Sequence, residues 1–258
     1  MIEFRNLHKS FDDLAVLRGV NLVVEEGETL ALLGPSGTGK SVLIKHAMGL
    51  LEPDEGDVIV DGISIAQATR KELRKVRRRI GYVFQNAALF DSLTVAENLW
   101  LAQTDEQEGR TLHSCRGEGV DLLERVNLDE SVMNKYPSEL SGGMRKRVGV
   151  ARAIAHQPRY LLWDEPTTGL DPVNADNIDE LIMELDRQLG VTSIVVTHDL
   201  DTAFEVGDRI ALLYEGQVRA VQTPQDILRN EDPIVRRFVR RSRVDDTAAT
   251  FKGIDRHA

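Results

Sequence analysis

The sequence has 258 residues, of which 41% are hydrophobic and 29% are charged, and its formal net charge is −10. These values are typical of a globular chain with one large α/β domain, or a main domain and a subdomain. The negative charge opposes binding to nucleic acid or anionic lipid over the surface as a whole. The single cysteine, Cys115, excludes an internal disulfide and a cysteine-based zinc site, and indicates a reducing compartment.

Membrane-directing segments are not expected. The first residues, "MIEFRNLHKSFDD", hold no apolar core of signal-peptide length, and no window reaches about 18 uninterrupted apolar residues. We therefore expect any membrane role to depend on a partner.

Four short apolar runs each end in a glycine-rich or polar element. "ETLALLG" leads into Gly34, "RIGYVFQ" ends at Gln85, "RYLLWDE" ends at Asp164 and Glu165, and "TSIVVTH" ends at His198. Apolar runs without alternation suit strands that are buried on both faces of a parallel sheet. Because ligands bind at the carboxyl ends of such strands, we predict one site at this edge.

Helical patterns separate the strands. Residues 40–51 follow the first loop, residues 118–128 form an amphipathic helix, and the helix over 174–189 closes at Gly190. We predict one unit over 1–225, with a core at 1–85 and 151–225 and a helical subdomain at about 86–150. A C-terminal helix and tail follow over 226–258, and the polar segment 104–118 is predicted to be a mobile loop.

The stretch "GPSGTGKS", Gly34 to Ser41, matches the full phosphate-binding P-loop pattern. Its glycines let backbone amides point at phosphate oxygens, and the following helix adds its positive end. Lys40 is predicted to reach the β- and γ-phosphates, and the Ser41 hydroxyl to bind Mg²⁺. The predicted ATP contacts are Phe11, Gly34, Pro35, Ser36, Gly37, Thr38, Gly39, Lys40, Ser41 and Val42.

Two adjacent carboxylates end the third apolar run. Asp164 is predicted to hold Mg²⁺ directly or through water, and Glu165 to accept a proton from the attacking water. Adjacent acids at a strand end also occur as a solvated turn, and the P-loop argues against that alternative.

Three further side chains are candidates for the same site. Gln85 can contact both Mg²⁺ and the attacking water, and His198 can donate to the γ-phosphate in the transition state. Phe11 lies in a predicted loop between two early strands, where it would stack on adenine. The alternative for Phe11 is a place in the core.

The stretch "ELSGGMRKRV" contains a second potential anion site, because Ser141, Gly142 and Gly143 look like a helix start with bare backbone amides. Two basic clusters, 70–79 and 236–243, stand out against the acidic total. Each is predicted either to face lipid headgroups or an acidic partner, or to be a solvated charged face.

This series of motifs resembles the nucleotide-binding subunits of ABC transporters over roughly residues 2–225. The P-loop, Gln85, "LSGGM", the "DE" strand end, "GLDP" and His198 follow in the order of that family. The resemblance implies an α/β fold: a P-loop NTPase (RecA-like) core with a small antiparallel β region and an inserted helical subdomain. It also implies ATP and Mg²⁺ as cofactors.

The resemblance also implies a homodimer. It places Ser141, Gly142 and Gly143, together with Asp171 in "GLDP", on ATP held by the other subunit. Each chain would then hold half of two sites, with ATP between the subunits.

A narrower resemblance concerns the transported substrate. Residues 84–99, the run "LSGGMRKRV" and residues 232–239 are similar to the ATPase of Mla-type phospholipid transporters, which work with proteins of the mammalian-cell-entry (MCE) type. "NAALF" differs slightly from the "SGALF" common there. This resemblance implies an integral-membrane permease docking near Gln85–Phe90, an MCE-type protein, a small regulatory subunit, and a place at the cytoplasmic face of the bacterial inner membrane.

Other classes are considered as alternatives. The alternative to a permease contact for residues 87–90 is that they form a buried helix start. The ATPase of another importer or exporter would carry the same motifs. An ABC ATPase that acts on DNA would have a long coiled coil before the signature, a ribosomal one would have two cassettes, and a P-loop kinase would need neither "LSGGM" nor the Glu165–His198 pair. We therefore predict no nucleic-acid partner.

Overall fold

A computed structural model describes residues 1–103 and 116–239 of the chain. Cys115, most of the predicted loop over 104–118 and the tail over 240–258 lie outside the described residues, and so does half of the second basic cluster.

Within the described part of the chain, ten strands form two sheets. In chain order they are Ile2–Phe11 (β1), Leu14–Val24 (β2), Thr29–Leu33 (β3), Glu55–Val60 (β4), Ile63–Ser64 (β5), Ile80–Val83 (β6), Tyr160–Asp164 (β7), Thr192–Thr197 (β8), Arg209–Tyr214 (β9) and Gln217–Gln222 (β10).

The larger sheet has the order β10-β9-β3-β8-β7-β6, and every neighbouring pair from β9 to β6 is parallel. Its strands β3, β6, β7 and β8 are buried along their whole length, as their uninterrupted apolar runs predict. The parallel order brings the carboxyl ends of these four strands to one edge, as expected for the predicted α/β fold with a parallel sheet.

The smaller sheet has the order β2-β1-β4-β5, and all of its pairs are antiparallel. Its apolar face packs on one side of the parallel sheet around Phe4, Leu22 and Val60. The predicted small antiparallel region is therefore present.

Across residues 1–103 and 116–239, α-helices connect and cover the sheets. They span Lys40–Ala47 (α1), Arg70–Arg77 (α2), Val95–Gln103 (α3), Arg116–Glu124 (α4), Gly142–Ile154 (α5), Pro172–Leu189 (α6), Leu200–Val206 (α7) and Pro224–Ile227 (α8). Residues 233–239 are also helical. Helix α6 begins after its N-cap Asp171 and ends at Gly190, whose φ of 60° provides the left-handed turn expected there.

The two faces of strand β7 belong to different cores. Tyr160 and Leu162 pack in the core under the antiparallel sheet, whereas Leu161 and Trp163 pack among the helices. This alternation follows from the period of two along a strand. The second core also contains Leu99, Leu123 and Val148, so the helical segment packs directly onto the parallel sheet.

Within residues 1–103 and 116–239, none of the helices combines the length and the apolar character needed to cross a membrane.

Candidate active site

The residues of the candidate site lie at or just after the ends of four strands of the parallel sheet. The P-loop follows β3 directly, Asp164 ends β7, and His198 follows β8 directly. Gln85 is exposed and lies two residues beyond the end of β6. The strand register therefore brings together residues that are far apart in the sequence.

Two positions in the P-loop require glycine. A Cβ at Gly34 would lie 2.2 Å from the carbonyl oxygen of Leu213. Gly39 has a φ of +98°, and a Cβ there would lie 2.8 Å from Val16. The loop thus depends on glycine both for close backbone approach and for a left-handed conformation.

Lys40 turns its ammonium into the loop and is only 4% exposed. Its Nζ donates to the carbonyl oxygens of Gly34 (2.7 Å) and Pro35 (3.1 Å), and lies 3.4 Å from Oε1 of Glu165. Burial lowers the pKa of Lys40, while the carboxylates of Glu165 and Asp164 act in the opposite direction. A buried cation at the mouth of a helix is suited to phosphate.

Ser41 and Asp164 bring together two oxygen atoms of the kind that bind a metal ion. The Ser41 hydroxyl lies 2.5 Å from Oδ1 of Asp164, and the Tyr82 hydroxyl donates to Oδ2 over 2.8 Å. Burial and the Asp164 charge raise the pKa of Tyr82, so its hydroxyl stays protonated and can donate. Hydroxyl and carboxylate oxygens are the ligands that Mg²⁺ prefers, so this pair fits the ion implied by the sequence.

Glu165 lies at the centre of the site. Its Oε2 accepts from the Thr168 hydroxyl (2.7 Å) and lies 2.5 Å from Nδ1 of His198. Burial would raise the pKa of Glu165, but the Thr168 hydrogen bond, Lys40 and His198 together hold that pKa below its usual value. The side chain is therefore an ionised carboxylate at neutral pH, as a proton acceptor requires.

Phe11 ends β1 beside the turn to β2 rather than lying in a loop. It is 42% exposed, which rules out the core alternative, and the Lys9 ammonium lies 5.5 Å from its ring centroid. A separate cavity of 1060 Å³ opens beside the P-loop residues Pro35 to Thr38 and is bordered by Leu14–Val16 and by residues 233–238. A cavity of that size can hold a nucleoside.

Residues predicted to meet the partner's ATP form a second cluster at the starts of α5 and α6. Ser141 is the N-cap of α5, with its hydroxyl accepting from the Met144 amide, and Asp171 is the N-cap of α6. A Cβ on Gly143 would lie 3.2 Å from Oδ1 of Asn174, whose amide groups donate to Asp171. Among the described residues, the hydrogen bonds of this cluster do not reach the P-loop of the same chain.

The segment after Gln85 is shaped by two residues with positive φ, Ala87 and Ala88. Arg152 of α5 donates to both of their carbonyl oxygens, at 3.1 and 2.6 Å. Ala87 is buried, whereas Phe90 is 55% exposed. The alternative of a buried helix start therefore does not describe the whole segment.

Sequence reasoning missed Tyr82, Thr168 and Lys146. Lys146 of α5 donates to the carbonyl oxygens of Pro166 (2.5 Å) and Thr168 (2.6 Å), directly after Glu165. Tyr82 was identifiable only as a hydroxyl on the strand that ends near Gln85. No local pattern marks Thr168 or Lys146: the Thr168 bond depends on the conformation of the turn after Glu165, and the Lys146 bonds depend on the packing of α5.

The fold and the site together define a P-loop nucleotide hydrolase. The family model described as "ABC transporter" matches residues 17–168, and the chain belongs to that family. Members bind ATP with Mg²⁺, and the chain is the ATP-hydrolysing subunit of a bacterial ABC transporter.

Curated relatives match nearly the whole chain. The methionine import ATP-binding protein MetN of Caulobacter vibrioides is 40% identical, over 98% of this chain and 79% of MetN. The probable ribonucleotide transport ATP-binding protein mkl of Mycobacterium tuberculosis is 37% identical, over 94% and 67% of the two chains. These relatives are named for different substrates.

Solved structures match the fold as well. The dimeric structure of MJ0796, a bacterial ABC transporter cassette, is 35% identical and covers 87% of this chain and 99% of its own, with a TM-score of 0.80. A post-hydrolysis dimer of the same cassette, bound to ADP and Pi, gives a TM-score of 0.76 over the same coverage.

Proposed function

We propose that Glu165 is the general base of ATP hydrolysis in this subunit, with Lys40 and His198 around the γ-phosphate. The observation that carries this proposal is that Oε1 of Glu165 lies 3.4 Å from the Lys40 ammonium while its Oε2 lies 2.5 Å from Nδ1 of His198. A carboxylate between two side chains that are proposed to meet the γ-phosphate is well placed to activate a water for in-line attack.

Each side chain has a distinct task in this proposal. Lys40 exchanges its bonds to the loop carbonyls for bonds to the β- and γ-phosphates, and Phe11 stacks on adenine. Ser41, Gln85 and Asp164 hold Mg²⁺, which when bound neutralises charge on the phosphates. His198 donates to the γ-phosphate as charge develops in the transition state.

A second chain completes the site. Ser141, Gly142, Gly143 and Asp171 form one cluster at two helix starts, where backbone amides and dipoles favour an anion. We infer that this cluster contacts ATP held by the P-loop of the other subunit in a homodimer. The printed description of MJ0796 as dimeric supports the proposal.

The transported substrate is proposed to be a phospholipid, moved between envelope membranes with an MCE-type system. Support comes from residues 84–99, "LSGGMRKRV" and residues 232–239. The permease is proposed to dock near Gln85–Phe90, where Phe90 is exposed, and so to hold the subunit at the cytoplasmic face of the inner membrane. A small regulatory subunit belongs to the same proposal.

The second candidate is a solute importer. Its support is the naming of relatives that are 40–42% identical: methionine import, phosphonates import and sulfate/thiosulfate import. These relatives are named for different substrates although their identities to this chain are nearly equal. The ATPase sequence therefore identifies the class of transporter more clearly than the transported substrate.

The proteins that co-purify with the chain from its native membrane distinguish the candidates. An MCE-domain protein in the complex, with ATP-dependent transfer of phospholipid between labelled vesicles, is the result expected for the first. If a solute-binding protein co-purifies instead, and a small molecule is taken up without lipid transfer, the second candidate function is correct.

A further inference from the structure

Glu165 has an unusual backbone conformation for a glutamate, with a φ of 52°. A non-glycine residue in the left-handed region is strained and persists only where its surroundings enforce it. The carboxylate can therefore keep its position only if the turn that carries it is held in place.

The turn from Glu165 to Thr168 closes on itself by two bonds. The Thr168 amide donates to the Glu165 carbonyl oxygen (3.3 Å), and the Thr168 hydroxyl donates to the Glu165 carboxylate (2.7 Å). The Glu165 amide donates to Val196 on the neighbouring strand (3.0 Å). These bonds anchor the start of the turn to the sheet but leave its far side to be held by another element.

Lys146 supplies the hold on that far side. Its ammonium donates to the carbonyl oxygens of Pro166 and Thr168, at 2.5 and 2.6 Å, and so bridges the two residues that flank Thr167. Burial lowers the pKa of Lys146, while the charge of Glu165 opposes the shift. A charge-assisted pair of bonds from one atom fixes the direction in which the turn faces.

We propose that Lys146 is a positioning residue for ATP hydrolysis, which holds the Glu165–Thr168 turn in the conformation that aims the Glu165 carboxylate. This inference rests on the catalytic role proposed for Glu165. The Lys146 ammonium donates to the carbonyl oxygens of the turn, so its effect on the Glu165 carboxylate is exerted through that turn.

Its neighbours on α5 provide a contrast. Arg145 donates to Leu140 (2.6 Å), and Arg147 donates to Asn127 (3.2 Å), so both hold carbonyl oxygens within the helical region. Of the three consecutive basic residues, Lys146 is the one whose contacts reach the turn with the proposed base. Arg147 therefore offers a control of the same kind, on the same helix.

The position of Lys146 also has a consequence for the dimer. Lys146 lies five residues after Ser141 on one continuous helix, or about 7.5 Å along its axis. One helix therefore connects Ser141, inferred to meet the partner's ATP, with the residue that holds the Glu165 turn in the same chain.

The test compares Lys146→Met with Arg147→Met in the full chain, assembled with its membrane partner. For Lys146→Met we expect kcat to fall by about 100-fold, as for a base displaced by about 1 Å, with the Kd for ATP changed less than about twofold. Amide hydrogen exchange should accelerate at residues 165–170. Lys146→Arg, which can still donate to both carbonyl oxygens, should recover most of kcat, and Arg147→Met should leave kcat and exchange near the parent values.

A parent-like kcat in Lys146→Met would overturn the inference, and so would an equal loss of kcat in Arg147→Met. If Lys146→Met does not fold, Lys146→Gln is judged by the same criteria, because its shorter amide cannot replace a bridging ammonium. Glu165→Gln separates the two proposals. If Glu165→Gln still hydrolyses ATP, the general-base role of Glu165 is wrong. If Glu165→Gln is inactive while Lys146→Met is fully active, only the positioning role of Lys146 is wrong.

Discussion

Nδ1 of His198 lies 2.5 Å from Oε2 of Glu165, although 33 positions separate the two residues in the chain. They meet because β7 and β8 are parallel neighbours, so that the residues after both strands emerge at one edge. His198 is 48% exposed and Glu165 only 12%, so the histidine covers the carboxylate from the solvent side. The pair joins the proposed base to the group proposed to meet the γ-phosphate.

Glu165→Gln should bind ATP normally and lose nearly all turnover. The amide is isosteric with the carboxylate and can still accept from Thr168, but it cannot take a proton from water. Steady-state phosphate release and ATP titration measure the two effects separately. Parent-rate hydrolysis by this variant would show that the base is another group.

Lys40→Ala should weaken ATP binding itself, by at least about tenfold in Kd. The variant removes the buried cation that is proposed to bind the phosphates, and it leaves Glu165 without its partner at 3.4 Å. Binding of a fluorescent ATP analogue gives Kd directly. Lys45→Ala, further along the same helix α1, is the control and should bind as the parent does; an equal loss in both variants would contradict a phosphate-specific role for Lys40.

Tyr82→Phe should raise the Mg²⁺ concentration needed for half-maximal ATPase activity by about tenfold. The hydroxyl donates to Oδ2 of Asp164, and a hydrogen bond to a charged group contributes about 1.5–3 kcal/mol. Losing it frees the Asp164 carboxylate to turn away from Ser41. A Mg²⁺ titration of the parent, Tyr82→Phe and the exposed control Tyr136→Phe makes the comparison, and an unchanged midpoint in Tyr82→Phe would remove Tyr82 from the metal site.

Asp179→Asn should change how stability depends on pH. Asp179 is 6% exposed on α6, accepts from Thr202 of α7, and has its pKa raised by burial from 3.8 to about 6. Its folded pKa lies above its unfolded pKa, so the stability gained from protonation is full below pH 3.8 and is lost as the pH rises through about 6.

Urea unfolding measures this effect. Between pH 5 and pH 8 the parent should lose about 1 kcal/mol of unfolding free energy relative to Asp179→Asn. Glu180→Gln, at an exposed neighbouring position, should follow the parent. A pH-independent difference between Asp179→Asn and the parent would contradict a raised pKa.

Much of the scaffold was predictable from the sequence. Uninterrupted apolar runs identify buried parallel strands, and the spacing from Gly34 to Ser41 identifies the P-loop without knowledge of the fold. Because each run ends in a special residue, the common edge of the sheet follows from topology alone.

The contacts that hold the site were not predictable. The bond from Tyr82 to Asp164 depends on how β6 and β7 pair, and the bonds of Lys146 depend on the rotation of α5 against the sheet. Neither register nor rotation is written in a local pattern. The left-handed φ of Glu165 is likewise enforced by tertiary contacts, because a glutamate shows no preference for it.

In the proposed dimer, ATP joins the P-loop of one chain to Ser141, Gly142, Gly143 and Asp171 of the other. Light scattering of Glu165→Gln with and without ATP tests it most directly, because that variant should hold ATP without consuming it. We expect twice the 28.8 kDa of one chain with ATP, the mass of one chain without it, and no ATP-dependent increase when Ser141→Arg is added. A mass of one chain at saturating ATP, or a dimer that forms equally well with Ser141→Arg, would contradict it.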